Sequence, residues 1–239
     1  MTSVSQIPRN SGILLHACAH NPTGYDLTYW QWKELVDVCI ANNLQIVVDM
    51  AYLGFASGNL QTDLTLLNIL NSIDYPSIIC TSYAKNFGLY SKRIGNLFFK
   101  GEVNAKTDNM MDVIRPIIRT NYSSPPSDGS DIIKTILSSE DLKSDWEREL
   151  RTITNRYSSI RKQLRTLMET KANRDFSAIT SQQGMFYYGA AEISEKQALF
   201  MRGHDVYFLD NGRISLAGLN DSNIHRFTDL LSDSYVLSK

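Results

Sequence analysis

The hydrophobic pattern changes period several times along the chain, and each change marks an element. Ile13-Leu14-Leu15-His16-Ala17-Cys18 is an apolar run of strand length, ended by Ala19 to Gly24, where Pro22 and Gly24 punctuate a turn. Thr28 and Gln31 have the spacing of a capping box. They open a predicted helix whose Trp32, Leu35, Val36, Cys39 and Ile40 recur at helical intervals and which should end near Asn42 and Asn43. Leu44 to Val48 reads as the next buried strand. A less regular crossover over Asn59 to Asp74 leads to a third at Ser77 to Cys80, and Ile94 to Phe99 is a fourth. Strand, helix, strand in this order predicts parallel crossovers and therefore an α/β fold.

In the second half the period lengthens. From Asp145 to about Lys171 the residues Trp146, Leu150, Ile153, Tyr157, Ile160, Leu164 and Leu167 are spaced by fours and threes, predicting a long helix with one buried stripe. The basic residues from Arg148 to Arg165 interleave with Glu147 and Glu149 and read as a solvated face. Phe176 to Ile179, Met185 to Tyr188, Val206 to Leu209 and Ile214 to Leu216 are expected as short strands of a small α/β domain, closed by a helix after Asp221.

Composition narrows the function classes. A chain of 239 residues with 43% hydrophobic content has the length for one large or two modest cores. Its formal charge of -1 argues against nucleic acid or an anionic membrane as partner. No apolar run approaches the ~18 residues of a membrane span, and Met1 to Gly12 has neither a signal-peptide core nor an arginine-rich transit pattern. Cys18, Cys39 and Cys80 are few, odd in number and lack metal-type spacing, which suits a reducing compartment and thiols packed as small apolar residues.

The chemistry collects where strands end. Lys85 follows the run Ile78-Ile79-Cys80, and a partly desolvated lysine can lose its proton and form a Schiff base with an aldehyde. Ser82 and Arg93 flank it with a hydroxyl and a guanidinium, a pair suited to a phosphate. Asn21 stands at the first strand exit, and Asp49 with Tyr52 at the second. Ligands of open parallel sheets bind at the carboxyl ends of the strands. An aspartate for a ring nitrogen, a tyrosine and an asparagine for a ring oxygen, and a lysine for an aldehyde carbon are what pyridoxal 5'-phosphate requires. Each has a plainer role when taken singly, as a turn residue or a half-buried aromatic; their joint placement at successive strand ends is what points to chemistry.

His16-Ala17-Cys18-Ala19-His20-Asn21-Pro22-Thr23-Gly24, Asp49-Met50-Ala51-Tyr52 and Ser82-Tyr83-Ala84-Lys85-Asn86 resemble the aspartate aminotransferase family of fold type I pyridoxal-phosphate enzymes, in family order from about Gly12 onward. The resemblance implies that Lys85 carries the cofactor and shuttles the proton between the substrate α-carbon and the cofactor's aldehyde carbon. It implies that Asp49 keeps the ring nitrogen protonated, that Tyr52 and Asn21 hold the phenolic oxygen, that Ser82 and Arg93 grip the phosphate, and that His16 stands behind the residues that touch the cofactor. It also implies two substrate-binding arginines. Arg119, between Ile117-Ile118 and Ser123-Ser124-Pro125-Pro126, would cross the dimer interface to the distal carboxylate, and Arg213 of Gly212-Arg213-Ile214-Ser215 would clamp the α-carboxylate. Asn21 would share in substrate binding. At Ser124 and Asp131 the family more often has Asn and Arg.

The implied fold is the C-terminal part of the fold type I transferase: a partial, mostly parallel sheet with helices at 1-145, then the connecting helix and small α/β C-terminal domain at 146-239. The implied reaction moves the amino group between L-aspartate and 2-oxoglutarate, giving oxaloacetate and L-glutamate. Dicarboxylic amino acids and 2-oxo acids would be the ligands, in the cytoplasm or the mitochondrial matrix, as a homodimer or a heterodimer with a complete paralogue. The family's N-terminal arm, glycine-containing phosphate loop and ring-stacking aromatic find no counterpart in Met1 to Ser11. The alternatives are therefore an inactive partner subunit, or another pyridoxal-phosphate aminotransferase of the fold, such as an aromatic one. The resemblance also predicts a cis Asn21-Pro22 bond.

Overall fold

The computed structural model describes residues 2–101 and 109–237. The chain forms two units, each drawn from several segments. The first comprises Met1–Ala17, Leu27–Ala51 and Leu64–Glu147, and the second Cys18–Asp26, Tyr52–Asp63 and Arg148–Lys239. A single split of 1-145 from 146-239 would leave Cys18–Asp26 and Tyr52–Asp63 in the first half; both cluster with the second.

The first unit is built on a four-stranded sheet, β1 (Gly12–His16), β2 (Gln45–Met50), β3 (Ser77–Ser82) and β4 (Gly95–Lys100), in the order β1-β2-β3-β4. β1, β2 and β3 run parallel and β4 antiparallel to β3. On β2 the side chains Ile46, Val48 and Met50 are buried, and Val47 and Asp49, on the opposite face, are half-buried. α1 (Tyr29–Ala41) starts at the expected capping box, with the Gln31 amide N–H on Thr28 Oγ1 and Gln31 Oε1 on the Thr28 amide N–H. It buries Trp32, Leu35, Val36 and Cys39; Ile40, predicted on the same stripe, is exposed. α2 (Thr65–Asn71) packs on α1.

Two helices of this unit were not assigned from the sequence. α3 (Met110–Tyr122) contains Pro116 and buries no residue, and α4 (Asp128–Ser138) buries only Gly129 and Ile133. Their apolar positions do recur at helical spacing, Met110, Val113, Ile114, Ile117 and Ile118 in α3 and Ile132, Ile133, Ile136 and Leu137 in α4, but that face is largely exposed in this chain.

α5 (Glu140–Ala172) begins earlier than predicted, with Glu140 and Asp141 at its positive end. In the second unit its buried face carries Leu150, Thr154, Tyr157, Ile160, Arg161, Leu164 and Met168. Ile153 is exposed and Leu167 half-buried. The stripe of apolar letters drifts off the true face because two positions on that face are Thr154 and Arg161, so Arg161 is not part of a solvated basic surface.

Of the four short strands expected here, two exist: β5 (Phe186–Tyr188) and β6 (Arg213–Ser215), paired antiparallel with Tyr188 opposite Arg213. Phe176 to Ile179 instead enters a helical turn at Ala178–Ser181, burying Phe176 and Ile179. Val206 to Leu209 forms no strand. α6 (Glu195–Arg202), opened by a Ser194/Gln197 capping box, packs on α7 (Ile224–Leu237). Phe55 stacks on Tyr157 at 6.3 Å, and a Cβ on Gly54 would lie 2.8 Å from Leu150 Cδ1, so the Tyr52–Asp63 loop lies directly against α5.

Candidate active site

In the first unit, β-sheet register places His16, Asp49 and Cys80 side by side on β1, β2 and β3. Asp49 lies within β2, one residue before its end, and not beyond it. Its Oδ2 is 3.9 Å from His16 Nε2, an ion-pair distance too long for a hydrogen bond. Burial, aided by the Asp49 carboxylate, pushes the Cys80 thiol up from its ordinary value. Ser82 closes β3 and its Oγ accepts from the Ala84 amide at 3.2 Å.

Lys85 is half-buried in the tight turn that follows. That turn is pinned from α5: Trp146 Nε1 donates to the Asn86 carbonyl at 2.7 Å, and the Phe87 ring stacks on the Trp146 indole at 4.5 Å and 19°. Arg93 takes a left-handed backbone conformation (φ 49°) after the helical turn Tyr90–Lys92, and its exposed guanidinium donates to the Tyr90 carbonyl at 3.1 Å. Ser82, Lys85 and Arg93 thus belong to one segment leaving β3. Arg119 does not: it is exposed in the last turn of α3.

In the second unit Asn21, Tyr52 and Arg213 form a connected group. Asn21 Nδ2 donates to Tyr52 Oη at 3.3 Å, and Asn21 Oδ1 accepts from Arg213 Nη1 at 2.8 Å. The two partners fix which way the amide points. The Arg213 guanidinium lies over the Phe186 ring, 4.5 Å from its centroid, and Phe186 meets Tyr52 edge to face at 6.4 Å. Arg213 sits diagonally across the β5–β6 pair from Phe186, a spacing within reach of long side chains. No hydrogen bond to Nε or Nη2 of Arg213 occurs among the described residues, so part of its donor fork can serve a carboxylate.

Two carboxylates hold the loops that carry these residues. Asp26 accepts from the amides of Ala19 (2.7 Å) and His20 (3.1 Å), next to Asn21, and the Asn21-Pro22 bond is cis as expected. Asp63 accepts from the amides of Gly54, Ala56 and Ser57 and from Ser57 Oγ, just after Tyr52. Burial raises both carboxyls above their ordinary range, outweighing the donors that lower them. Asp26, Asp63, Trp146 and Phe186 are absent from the sequence-derived site. Nothing in local spacing distinguishes them, although Gly184-Met185-Phe186 resembles a strand entry. No cluster of His, Cys, Asp or Glu that would hold a metal occurs among the described residues.

The profile of the family aminotransferase class I and II matches residues 2–231. A mitochondrial aspartate aminotransferase of Dictyostelium discoideum is 36% identical over 222 residues, covering 92% of this chain and 52% of that protein. A cytoplasmic aspartate aminotransferase of Schizosaccharomyces pombe is 37% identical over 225 residues, covering 94% of this chain and 55% of that protein. Among solved structures, an aromatic-amino-acid aminotransferase from Burkholderia pseudomallei, covalently bound to pyridoxal phosphate, superposes with a TM-score of 0.92 at 30% identity, covering 98% of this chain and 58% of that one. The chain spans about half the length of the curated relatives it matches. With its strand order, its ordered strand-exit residues and a family profile matching nearly end to end, this chain belongs to the class I and II aminotransferases.

Proposed function

We propose that this chain is the lysine-bearing part of an aspartate aminotransferase, exchanging the amino group between L-aspartate and 2-oxoglutarate to give oxaloacetate and L-glutamate with pyridoxal 5'-phosphate as cofactor. The observation that carries this reading is the Asn21 amide shared between the Tyr52 hydroxyl and the Arg213 guanidinium, an arrangement suited to holding a ring oxygen on one side and a substrate carboxylate on the other. The names of the relatives support aspartate as the amino donor.

The donor set fits the cofactor by its chemistry: an amine at Lys85, a hydroxyl and a guanidinium at Ser82 and Arg93, a carboxylate at Asp49 beside His16, and a phenol and an amide at Tyr52 and Asn21. When bound, the cofactor supplies an electron-accepting ring and an aldehyde carbon. Lys85 Nζ would hold the cofactor at that carbon and, once displaced there by the substrate amine, would move the proton on and off the substrate α-carbon. The Asp49 carboxylate would face the ring nitrogen, with His16 steadying it. Tyr52 Oη and Asn21 Nδ2 would orient the ring oxygen, and Ser82 and Arg93 would neutralise the phosphate. Arg213 binds the α-carboxylate. Arg119 reaches the distal carboxylate in a partner subunit, in a homodimer or in a heterodimer with a complete paralogue. Residues 1-145 act as part of the cofactor-binding domain, and 146-239 as the connecting helix and small domain. The likeness to an aromatic-amino-acid aminotransferase favours a second reading, a wider substrate range.

The test is to incubate the protein with pyridoxal phosphate, reduce with borohydride and map the labelled peptide. Label on Lys85, lost in Lys85→Ala, together with amino transfer from aspartate to 2-oxoglutarate, is the expected result. Label on another lysine would overturn the assignment.

A further inference from the structure

Arg161 lies on the buried face of α5 and is only 5% exposed. Among the described residues it has no carboxylate partner. A buried guanidinium is tolerated only when its donors are satisfied. Arg161 places its two terminal nitrogens on backbone carbonyls: Nη1 donates to Ile179 at 2.7 Å, and Nη2 to Gln183 at 3.2 Å, Gly184 at 3.1 Å and Phe186 at 2.5 Å. Burial pulls its pKa down to about 10, which still leaves it protonated at neutral pH.

All four carbonyls belong to one short stretch, and that stretch governs the Arg213 group. Phe186 is the ring beneath the Arg213 guanidinium and beside Tyr52. The Gln183 amide donates to the Gly24 carbonyl at 2.6 Å, on the loop that carries Asn21. Gly184, at φ +83°, runs so close to that loop that a Cβ on it would lie 2.8 Å from Ala19 Cβ. The stretch therefore supports Arg213 from below through Phe186 and abuts the Asn21 loop at two points, and Arg161 gathers it from behind.

We propose that Arg161 is a positioning residue for the carboxylate-binding group: by collecting the carbonyls of Ile179, Gln183, Gly184 and Phe186, it sets where Phe186 and the Asn21 loop hold the Arg213 guanidinium. This rests on the reading that Arg213 receives a substrate carboxylate. A side chain that served packing alone could be exchanged for methionine with loss of stability only. Here the exchange also frees four carbonyls and lets the floor of the carboxylate site move.

The experiment compares Arg161→Met, Arg161→Lys, Leu164→Ala and Arg213→Lys in the natural protein with its cofactor, together with the Arg161→Met/Arg213→Lys double variant. The readouts are kcat and KM for L-aspartate and, independently of turnover, the Kd of succinate by calorimetry. Leu164→Ala is the stability control, since Leu164 is buried on the same helix one turn on. Arg161→Met should raise KM and the succinate Kd by about tenfold, with kcat changing less. Arg161→Lys, which can reach fewer carbonyls, should fall between, and the double variant should be no worse than Arg213→Lys, as expected of coupled residues. An unchanged Kd in Arg161→Met, an equal rise in Leu164→Ala at matched stability, or additive effects in the double variant would overturn the proposal and leave the Arg213 reading standing. Should Arg161→Met fail to fold, an unchanged Kd in Arg161→Lys would overturn it equally. An unchanged Kd in Arg213→Lys would defeat the carboxylate reading and this proposal with it.

Discussion

Removing the Asp63 carboxylate should loosen the loop that follows Tyr52, and the size of the effect can be worked from its bonds. Asp63 is 4% exposed and accepts from Gly54 N at 2.9 Å, Ala56 N at 3.1 Å, Ser57 N at 3.0 Å and Ser57 Oγ at 2.5 Å. In Asp63→Ala the Gly54 amide is the donor most completely cut off from water, and stranding it costs about 2 kcal/mol. The Ala56 and Ser57 donors are closer to solvent and recover partners there, so each adds roughly half as much or less. The expected loss is about 3 kcal/mol, read from the midpoint of urea unfolding at unchanged slope. The pH dependence has a defined sign. Burial raises the Asp63 carboxyl above its ordinary 3.8, so its contribution to stability is full below that value and declines as pH rises through the raised one. The difference between wild type and Asp63→Ala should therefore be largest in acid and shrink toward neutrality. A loss below about 1 kcal/mol would refute the assignment of the carboxylate as the anchor of this loop, and a difference that grows with pH would show that its four donors outweigh burial.

Trp146→Phe keeps the stack on Phe87 but removes the donor to the Asn86 carbonyl; it should cost about 1 kcal/mol in thermal unfolding and slow borohydride trapping of pyridoxal phosphate on Lys85. Burial raises the thiols of Cys18 and Cys39, and burial with the Asp49 carboxylate raises that of Cys80, so a disulfide reagent at neutral pH should label native protein slowly and half-buried Cys80 first. Rapid labelling of Cys18 in folded protein would contradict this. Arg119→Ala should lower kcat/KM for aspartate and glutamate by roughly 3 kcal/mol in transition-state terms, and far less for alanine and phenylalanine. Equal losses across the four amino acids would remove Arg119 from the distal-carboxylate role.

The parallel strands were legible because a strand buried in such a sheet is written as a nearly continuous apolar run, whatever the rest of the chain does. The same locality made the strand-exit residues Asn21, Tyr52, Ser82 and Lys85 readable, together with the α1 capping box, whereas the cis Asn21-Pro22 bond came from the family resemblance. Where a residue faces two environments at once, local pattern fails. Arg161 and Thr154 occupy the buried face of α5 while reading as polar, because their hydrogen-bond partners come from elsewhere in the fold. Phe176 and Ile179 have the letters of a strand but enter a helical turn, since burial alone does not set backbone period.

By itself, then, the sequence determined the α/β order of the elements, the strand exits and the residue types offered there, since these depend on neighbours a few positions apart. Only the tertiary structure decided which of them share a hydrogen bond. Arg213 and Asn21 lie 192 residues apart, and their 2.8 Å contact exists because Phe186, Arg161, Asp26 and Asp63 fix the backbone around them. Such contacts carry no sequence period, because chain separation places no constraint on which side chains meet once the segments between them have folded.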